Sequence, residues 1–465
     1  MIFVAVLLIL GISALIYTMT STTAVSIANR QAEHDAKTLA EVKEALIGWS
    51  AARTPTASNT NARPGELPCP DTDNNGYAEN DDNNDGVDEA GCAAGTVGRV
   101  PWKTLRIPEP KDSAGETLWY AISGNYRVYR SSTPHVYTSP ITSDTRGTLT
   151  VHQESTSNTI TDQAVAVLFA PGAALENQDR STTTTMSCSA PSGTYFRYQC
   201  ASNYLETTGG INNAAIDGPY VQAPSTSTFN DRVLVISAQD LMPPVEQRVA
   251  REMMSILERY RIARGVYPWA DLADGASNAS GGFYYNRNRF PCGTALPSSW
   301  AGAGITLPNW LTNGCGACVA TDTATNPSWG WACVVFYAVA KYRLEDDGDN
   351  CSTCANSTTA CGSTTTSISR LTVANTSGNT ADLCTTGASP FVCTPSVLGT
   401  GTADLVLMTP GAATASRSTM TNWPVGFTTI SNYFDDSANA NNNDYNCYVV
   451  PTSTNSNRDR IYVVR

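Results

Sequence analysis

The chain opens on a change of pattern. Met1 to Asn29 carries no charged side chain, and Met1 to Tyr17 is almost wholly apolar. Beyond it, Val25, Ala28, Ala32, Ala36, Leu39, Val42, Leu46 and Trp49 recur every three or four residues among polar neighbours. That is the stripe of an amphipathic helix. The pattern predicts one helix over residues 1–53, about 80 Å long at the usual helical rise. Residues 1–29 would sit in lipid or among copies of themselves, and 30–53 would bury their stripe on a globular body. Met1 to Tyr17 is at the short end of the ~20 apolar residues that span a bilayer. Thr18 to Ser26 can extend it, since helical hydroxyls bond the preceding turn. Three readings stay open: a secretory signal peptide, although no Lys or Arg precedes Arg30; an ordinary membrane anchor; or a mature terminus left when a basic leader before Met1 is cut.

Behind the helix the pattern is written twice. Glu41 to Arg53 aligns with Glu252 to Arg264, and Leu67-Pro68-Cys69 with Phe290-Pro291-Cys292. Gly91-Cys92 answers Gly314-Cys315 at the same spacing, and Trp119 to Ser123 answers Phe336 to Ala340. Val167 to Ala174 matches Val406 to Ala413, Ser202 to Glu206 matches Ser431 to Asp435, and Asp231 to Ser237 matches Asp459 to Arg465. Matches in unbroken order imply an internal duplication. Each copy reads as a helix, a cysteine-bearing loop and short strands. The strands are the aromatic runs Trp119 to Tyr129 and Val334 to Leu344, the apolar runs Val165 to Ala170 and Leu405 to Thr409 before Pro-Gly turns, and a closing strand. The expected fold class is α+β: a long N-terminal helix and two tandem heads, each a helix packed on an antiparallel sheet with disulfide-rich loops. The first head is expected over 54–240 and the second over 241–465, with its own helix 244–264 after a cap at Asp240.

Composition adds a compartment. The 465 residues, 41% of them hydrophobic, suffice for two or three packed domains. A net charge of −12 and a pI near 4.8 exclude a nucleic-acid partner, which needs concentrated Lys and Arg. Fourteen cysteines behind an apolar N-terminus point to an oxidising compartment and disulfides. The equal spacing of Cys69/Cys92 and Cys292/Cys315 predicts one bridge in each copy, and Cys188 and Cys200, the cysteines left in the first copy, are expected to pair. The CxxC pairs Cys315/Cys318 and Cys351/Cys354 resemble a zinc site superficially, with disulfides the better reading in a secreted chain.

The apolar start, its passage into AEVKEALIGW and the cysteine-bearing body together resemble the type IV pilin and type II secretion pseudopilin superfamily. The resemblance implies a prepilin whose leader is cut before Met1, with a mature helix that enters a filament core. The implied partners are sister subunits, the inner membrane before assembly, and the assembly machinery. The family usually has a glutamate at the fifth mature position, where this chain has Ala5. The family's habit of losing helicity in the filament, with Gly11 and Thr20 to Thr23 as weak helix formers, predicts melting between Gly11 and Thr23.

The metal candidate is Asp71 to Glu89. Asp71, Asp73, Asn75, Gly76, Glu79 and Asp82 occupy positions of the calcium-loop pattern, with the Tyr77 carbonyl between. Ca²⁺ is thus the candidate cofactor, and a solvated Asn/Asp turn region is the competing reading. No catalytic motif appears among the three histidines or elsewhere, although a carboxylate such as Glu206 could serve a glycosidase-type pair. The expectation is a non-enzymatic subunit of an extracellular pilus-like filament, made in the bacterial inner membrane and exported to the cell surface. The alternatives are a minor tip-capping subunit, or a membrane-anchored adhesin or enzyme that does not polymerise.

Overall fold

The computed structural model describes residues 2–54, 62–79, 92, 97–127, 141–265, 267–268, 287–290, 300–312, 330–339, 371–375, 401–403, 405–409, 411, 447–450 and 460–464. The side chains of residues 2–25 lie outside this description. Helix α1 runs unbroken over Ile2–Ala52 in the single chain, through the stretch Gly11 to Thr23 where melting is expected on entry into a filament. A single weak helix former costs under about 1 kcal/mol, which strong neighbours such as Leu and Ala absorb. The described part of α1 changes character at Asp35. Residues 26–31 are exposed, whereas Asp35, Leu39, Val42, Leu46 and Ser50 are buried at helical spacing. Of the expected stripe, Ala28 and Ala36 lie in solvent and Ala32 is half-buried. Alanine offers too little apolar area to bind a helix down.

Two compact units are interleaved along the chain. The first takes Met1–Leu46, Pro68–Arg127 and Gly147–Ser237; the second takes Ile47–Leu67, Val128–Arg146 and Ala238–Arg465.

In the first unit the strands are β1 (Val97–Arg99), β2 (Trp119–Ile122), β3 (Leu149–Gln153), β4 (Thr159–Ala164), β5 (Ala166–Ala170), β6 (Thr185–Cys188), β7 (Gly193–Phe196), β8 (Thr207–Thr208), β9 (Ile211–Asn212), β10 (Tyr220–Gln222) and β11 (Arg232–Ile236). They form an antiparallel four-stranded sheet, β1-β2-β5-β11, and a three-stranded sheet, β10-β3-β4, whose β10–β3 pair is parallel. Two small hairpins, β6-β7 and β8-β9, complete it. Alternate residues Val97, Trp119, Ala121, Val167 and Phe169 point one way from the larger sheet. They share a core with Leu149, Val151 and Tyr220 of the smaller one. Phe169 and Tyr220 meet edge to face at 5.1 Å. Every residue of β5 is buried, which explains its unbroken apolar run.

The second unit repeats this wiring. Its strands are β12 (Arg287–Arg289), β13 (Phe336–Val339), β14 (Leu371–Asn375), β15 (Gly401–Ala403), β16 (Leu405–Thr409), β17 (Cys447–Val450) and β18 (Arg460–Val464). The sheets are β12-β13-β16-β18 and β15-β14-β17, with β14–β17 parallel. Register repeats as well. Trp119 pairs with Phe169 and Phe336 with Met408, while Arg232 pairs with Ala170 and Arg460 with Thr409. Helix α2 spans Ala238–Arg264, starting upstream of the expected Pro244 and carrying Pro243 and Pro244 inside it. Its buried face (Leu241, Val245, Val249, Met253, Ile256, Tyr260) packs in the unit's core, where α2 lies against β16.

Two expectations need correction. The heads are not one helix on one antiparallel sheet: the described chain is sheet-rich, with its strands divided among several small sheets and a parallel pair in each repeat. The first aromatic run also makes a shorter strand than its alternation suggests, because after Ile122 the chain turns, Tyr126 N–H donating to the Ser123 carbonyl at 3.0 Å. Second, among the described residues no helix is long and apolar enough to cross a membrane. The transmembrane helix, and with it the inner-membrane precursor and its route to the cell surface, is therefore withdrawn. The apolar run that suggested it, Met1 to Tyr17, has its side chains outside the described residues.

Candidate functional site

The densest polar constellation outside the core is the loop at Asp71. Its sequence, DTDNNGY, folds onto the first carboxylate. Asp71 Oδ1 accepts the N–H of Asn74 at 2.6 Å and of Asn75 at 3.2 Å, and Oδ2 accepts that of Gly76 at 2.8 Å. Asp73 in turn accepts from the Asn75 N–H at 3.1 Å and from its side-chain amide at 2.9 Å. Asn75 Oδ1 accepts the Tyr77 N–H at 2.7 Å, and Glu79 accepts from the Thr72 hydroxyl. Gly76 is required here. Its φ is +88°, and a Cβ would lie 2.8 Å from the Trp102 ring. Burial, with Asp73 close by, pushes Asp71 up to about 7, against the hydrogen bonds it accepts.

A cation would have to share these oxygens. A calcium loop must aim five or more oxygens at one point. Here the Asp71 and Asp73 oxygens are turned to the loop's own amides. The Lys103 ammonium also stands at 2.5 Å from the Asn75 carbonyl and 4.8 Å from the Tyr77 ring centre. Among the described residues no group of three or more His, Cys, Asp or Glu is placed to hold a metal ion. Asp82, the last of the expected ligands, lies outside the described residues. In this conformation the loop also anchors. Asp71 pairs with Arg99 through both main-chain hydrogen bonds, at 2.7 and 2.9 Å. The Arg99 guanidinium reaches Asn74 and the Tyr198 carbonyl, and it lies over the Trp119 and Tyr204 rings at 5.5 and 5.0 Å.

Disulfides join Cys69 to Cys92 and Cys188 to Cys200, with Cα atoms 5.6 and 5.5 Å apart. The second closes the β6-β7 hairpin, which Gln199 ties to the Asp73 carbonyl at 3.1 Å. Cys292 and Cys315 lie outside the described residues, as do Met1 and the side chain of Ala5.

A carboxylate pair does exist, and Glu206 is one half of it. Glu206 Oε2 accepts the N–H groups of Asn230 and Asp231 at 2.9 and 3.1 Å, and Oε1 accepts from Gln178 at 2.6 Å. Asp231 Oδ2 accepts from the Glu206 N–H and the Asn213 amide, both at 2.9 Å. Burial raises both acids; the Glu206 charge adds to the rise at Asp231, which holds its proton well above the ordinary range, while the bonds that Glu206 accepts, Asp231's among them, oppose its own rise. Both side chains are buried, and three of their four oxygens accept from main-chain or amide donors. The pair knits three loops to the start of β11.

No protein-family model matches the chain, and neither a curated protein nor a solved structure is found similar to it. The likeness to pilins therefore rests on the residues that suggested it. Reading from sequence passed over two further acids, Asp35 on α1 and Glu246 on α2. Each stands the same distance before the matched glutamates Glu41 and Glu252, and that shared position was the available signal.

Proposed function

We propose that the protein is a structural, non-enzymatic subunit that polymerises into a type IV pilus-like filament by bundling its N-terminal helix with those of other copies. One observation carries this reading. Helix α1 continues for many turns upstream of Asp35, yet its described residues there, 26–31, are exposed and make no buried stripe with the rest of their own chain. A helix whose sequence opens on an apolar run, and whose described residues 26–31 lie in solvent, would gain by packing that run against the same run of other copies, where equivalent faces meet. The two units would then coat the helical core.

Removing residues 1–28 is the test. The shortened chain is expected to sediment as a monomer, while the full chain forms elongated polymers visible in negative stain. A shortened chain that still polymerises overturns the proposal. The Glu206–Asp231 pair is read as part of the first unit's scaffold, since three of its oxygens accept from the main chain or from the Gln178 and Asn213 side chains.

A further inference from the structure

Each unit holds one buried acid on its helix, gripped in the same manner. In the first, Asp35 of α1 accepts the Ser113 N–H at 2.6 Å through Oδ1 and the Ser113 hydroxyl at 3.1 Å through Oδ2. Oδ2 also meets Arg232 Nε at 3.0 Å. In the second, Glu246 of α2 accepts the Ser143 N–H at 3.1 Å and its hydroxyl at 2.6 Å, both through Oε1. Oε2 meets Arg460 Nε at 2.5 Å. Arg232 and Arg460 open the last strand of their sheets, β11 and β18, at equivalent register. Helix acid, serine and strand arginine thus form a clasp present once per repeat.

The two clasps differ in ways that matter. Glu246 has no exposed surface, whereas Arg460 keeps more than a quarter of its side chain in solvent. The serine also has a different origin. Ser113 lies in the loop just ahead of β2, but Ser143 belongs to the Val128–Arg146 segment, far upstream of the helix it grips. Glu246 therefore holds two separate pieces of chain, one with each oxygen.

We propose that the Glu246 clasp is a proton-operated strap: ionised, it holds Ser143 and Arg460 together, and on taking up a proton at Oε2 it keeps Ser143 but releases Arg460. The stereochemistry dictates the order. A carboxylic acid still accepts through its carbonyl oxygen, so the Ser143 bonds survive on Oε1. Its other oxygen, once neutral, no longer holds the Arg460 guanidinium by charge, and that side chain, more than a quarter exposed, has solvent to turn into. The groups around Glu246 set the poise. Burial and Asp144 favour the neutral form, while Arg460 and the two Ser143 bonds favour the ionised one. Tyr462 faces the carboxylate from β18, with the Thr409 hydroxyl and Arg251 beside it. The balance lies at about 7, burial being the largest contribution.

Hydrogen exchange of the full chain, followed by mass spectrometry at about pH 5.5 and about pH 8.5 and corrected for intrinsic rates, tests this. Peptides covering Arg460 to Val464 are expected to exchange faster at the acid pH by on the order of tenfold, while those covering Thr142 to Asp144 change little. Glu246→Gln should give the acid pattern at both pH values, and Asp35→Asn should leave the β18 response intact. Should Glu246→Gln fold poorly, Arg460→Gln provides the second variant, with β18 loosened equally at both pH values. Equal protection of β18 across the pH range in the unaltered chain, or a response retained in either Glu246→Gln or Arg460→Gln, overturns the proposal.

Discussion

Asp231 and Glu206 are buried together in the first unit, and burial raises both above their unfolded values, Asp231 the more strongly with the Glu206 charge beside it. The sign follows from linkage. Their contribution is complete below the ordinary values of 3.8 and 4.5 and is lost as pH rises through the raised folded values. Thermal melts should therefore fall from mildly acidic toward neutral pH, and Asp231→Asn should flatten that fall. Gly76→Ala meets a positive φ and the Trp102 ring at once. It is expected to cost about 1–3 kcal/mol in denaturant unfolding. The same loop shows what could and could not be read in advance. DTDNNG is a calcium pattern by spacing, but spacing does not say which way an oxygen turns. In this conformation the Asp71 oxygens hold the amides of Asn74, Asn75 and Gly76, and the Lys103 ammonium lies on the Asn75 carbonyl. Melting temperature compared between EGTA and millimolar calcium separates the two readings: a rise with calcium means that the loop turns its oxygens to the cation, and no change means that it serves only as an anchor.

At the scale of elements, β5 and β16 were legible because burial on both faces writes a continuous apolar run, Val-Leu-Phe in one and Val-Leu-Met in the other. The strands β3, β4, β14 and β15 were not, since Thr-rich edges such as Thr159–Ala164 look like loop when one face meets solvent. The parallel pairing of β3 with β10 had no local signal whatever, because it joins segments separated by both small hairpins. The shared register makes a comparison possible. Phe169→Ala and Met408→Ala remove equivalent side chains, and each is expected to cost about 2–5 kcal/mol. Replacing Cys69 and Cys92 by serine should cost about 3 kcal/mol by the loop-entropy argument, read as a lower denaturation midpoint under oxidising conditions.

For the whole molecule, the order of segments matters more than their composition. The duplication is written in order, yet the compact units are not cut at one point. Ile47–Leu67 and Val128–Arg146 belong with Ala238–Arg465. Linear repeats hid this, since an alignment of the halves places those stretches in the first copy. Residues 238–465 expressed without the rest should thus lack a cooperative melt, whereas adding residues 47–237 should restore one, as followed by calorimetry.

The upstream origin of Ser143 has a consequence for how the chain is made. It leaves the ribosome long before Glu246, and Arg460 follows later still, so Val128–Arg146 must wait for its seat until both have emerged. The first unit can close as soon as β11 is out. The second can begin to assemble when α2 appears but gains this fastening only once Arg460 is made, which makes truncations between Glu246 and Arg460 selectively harmful to that half.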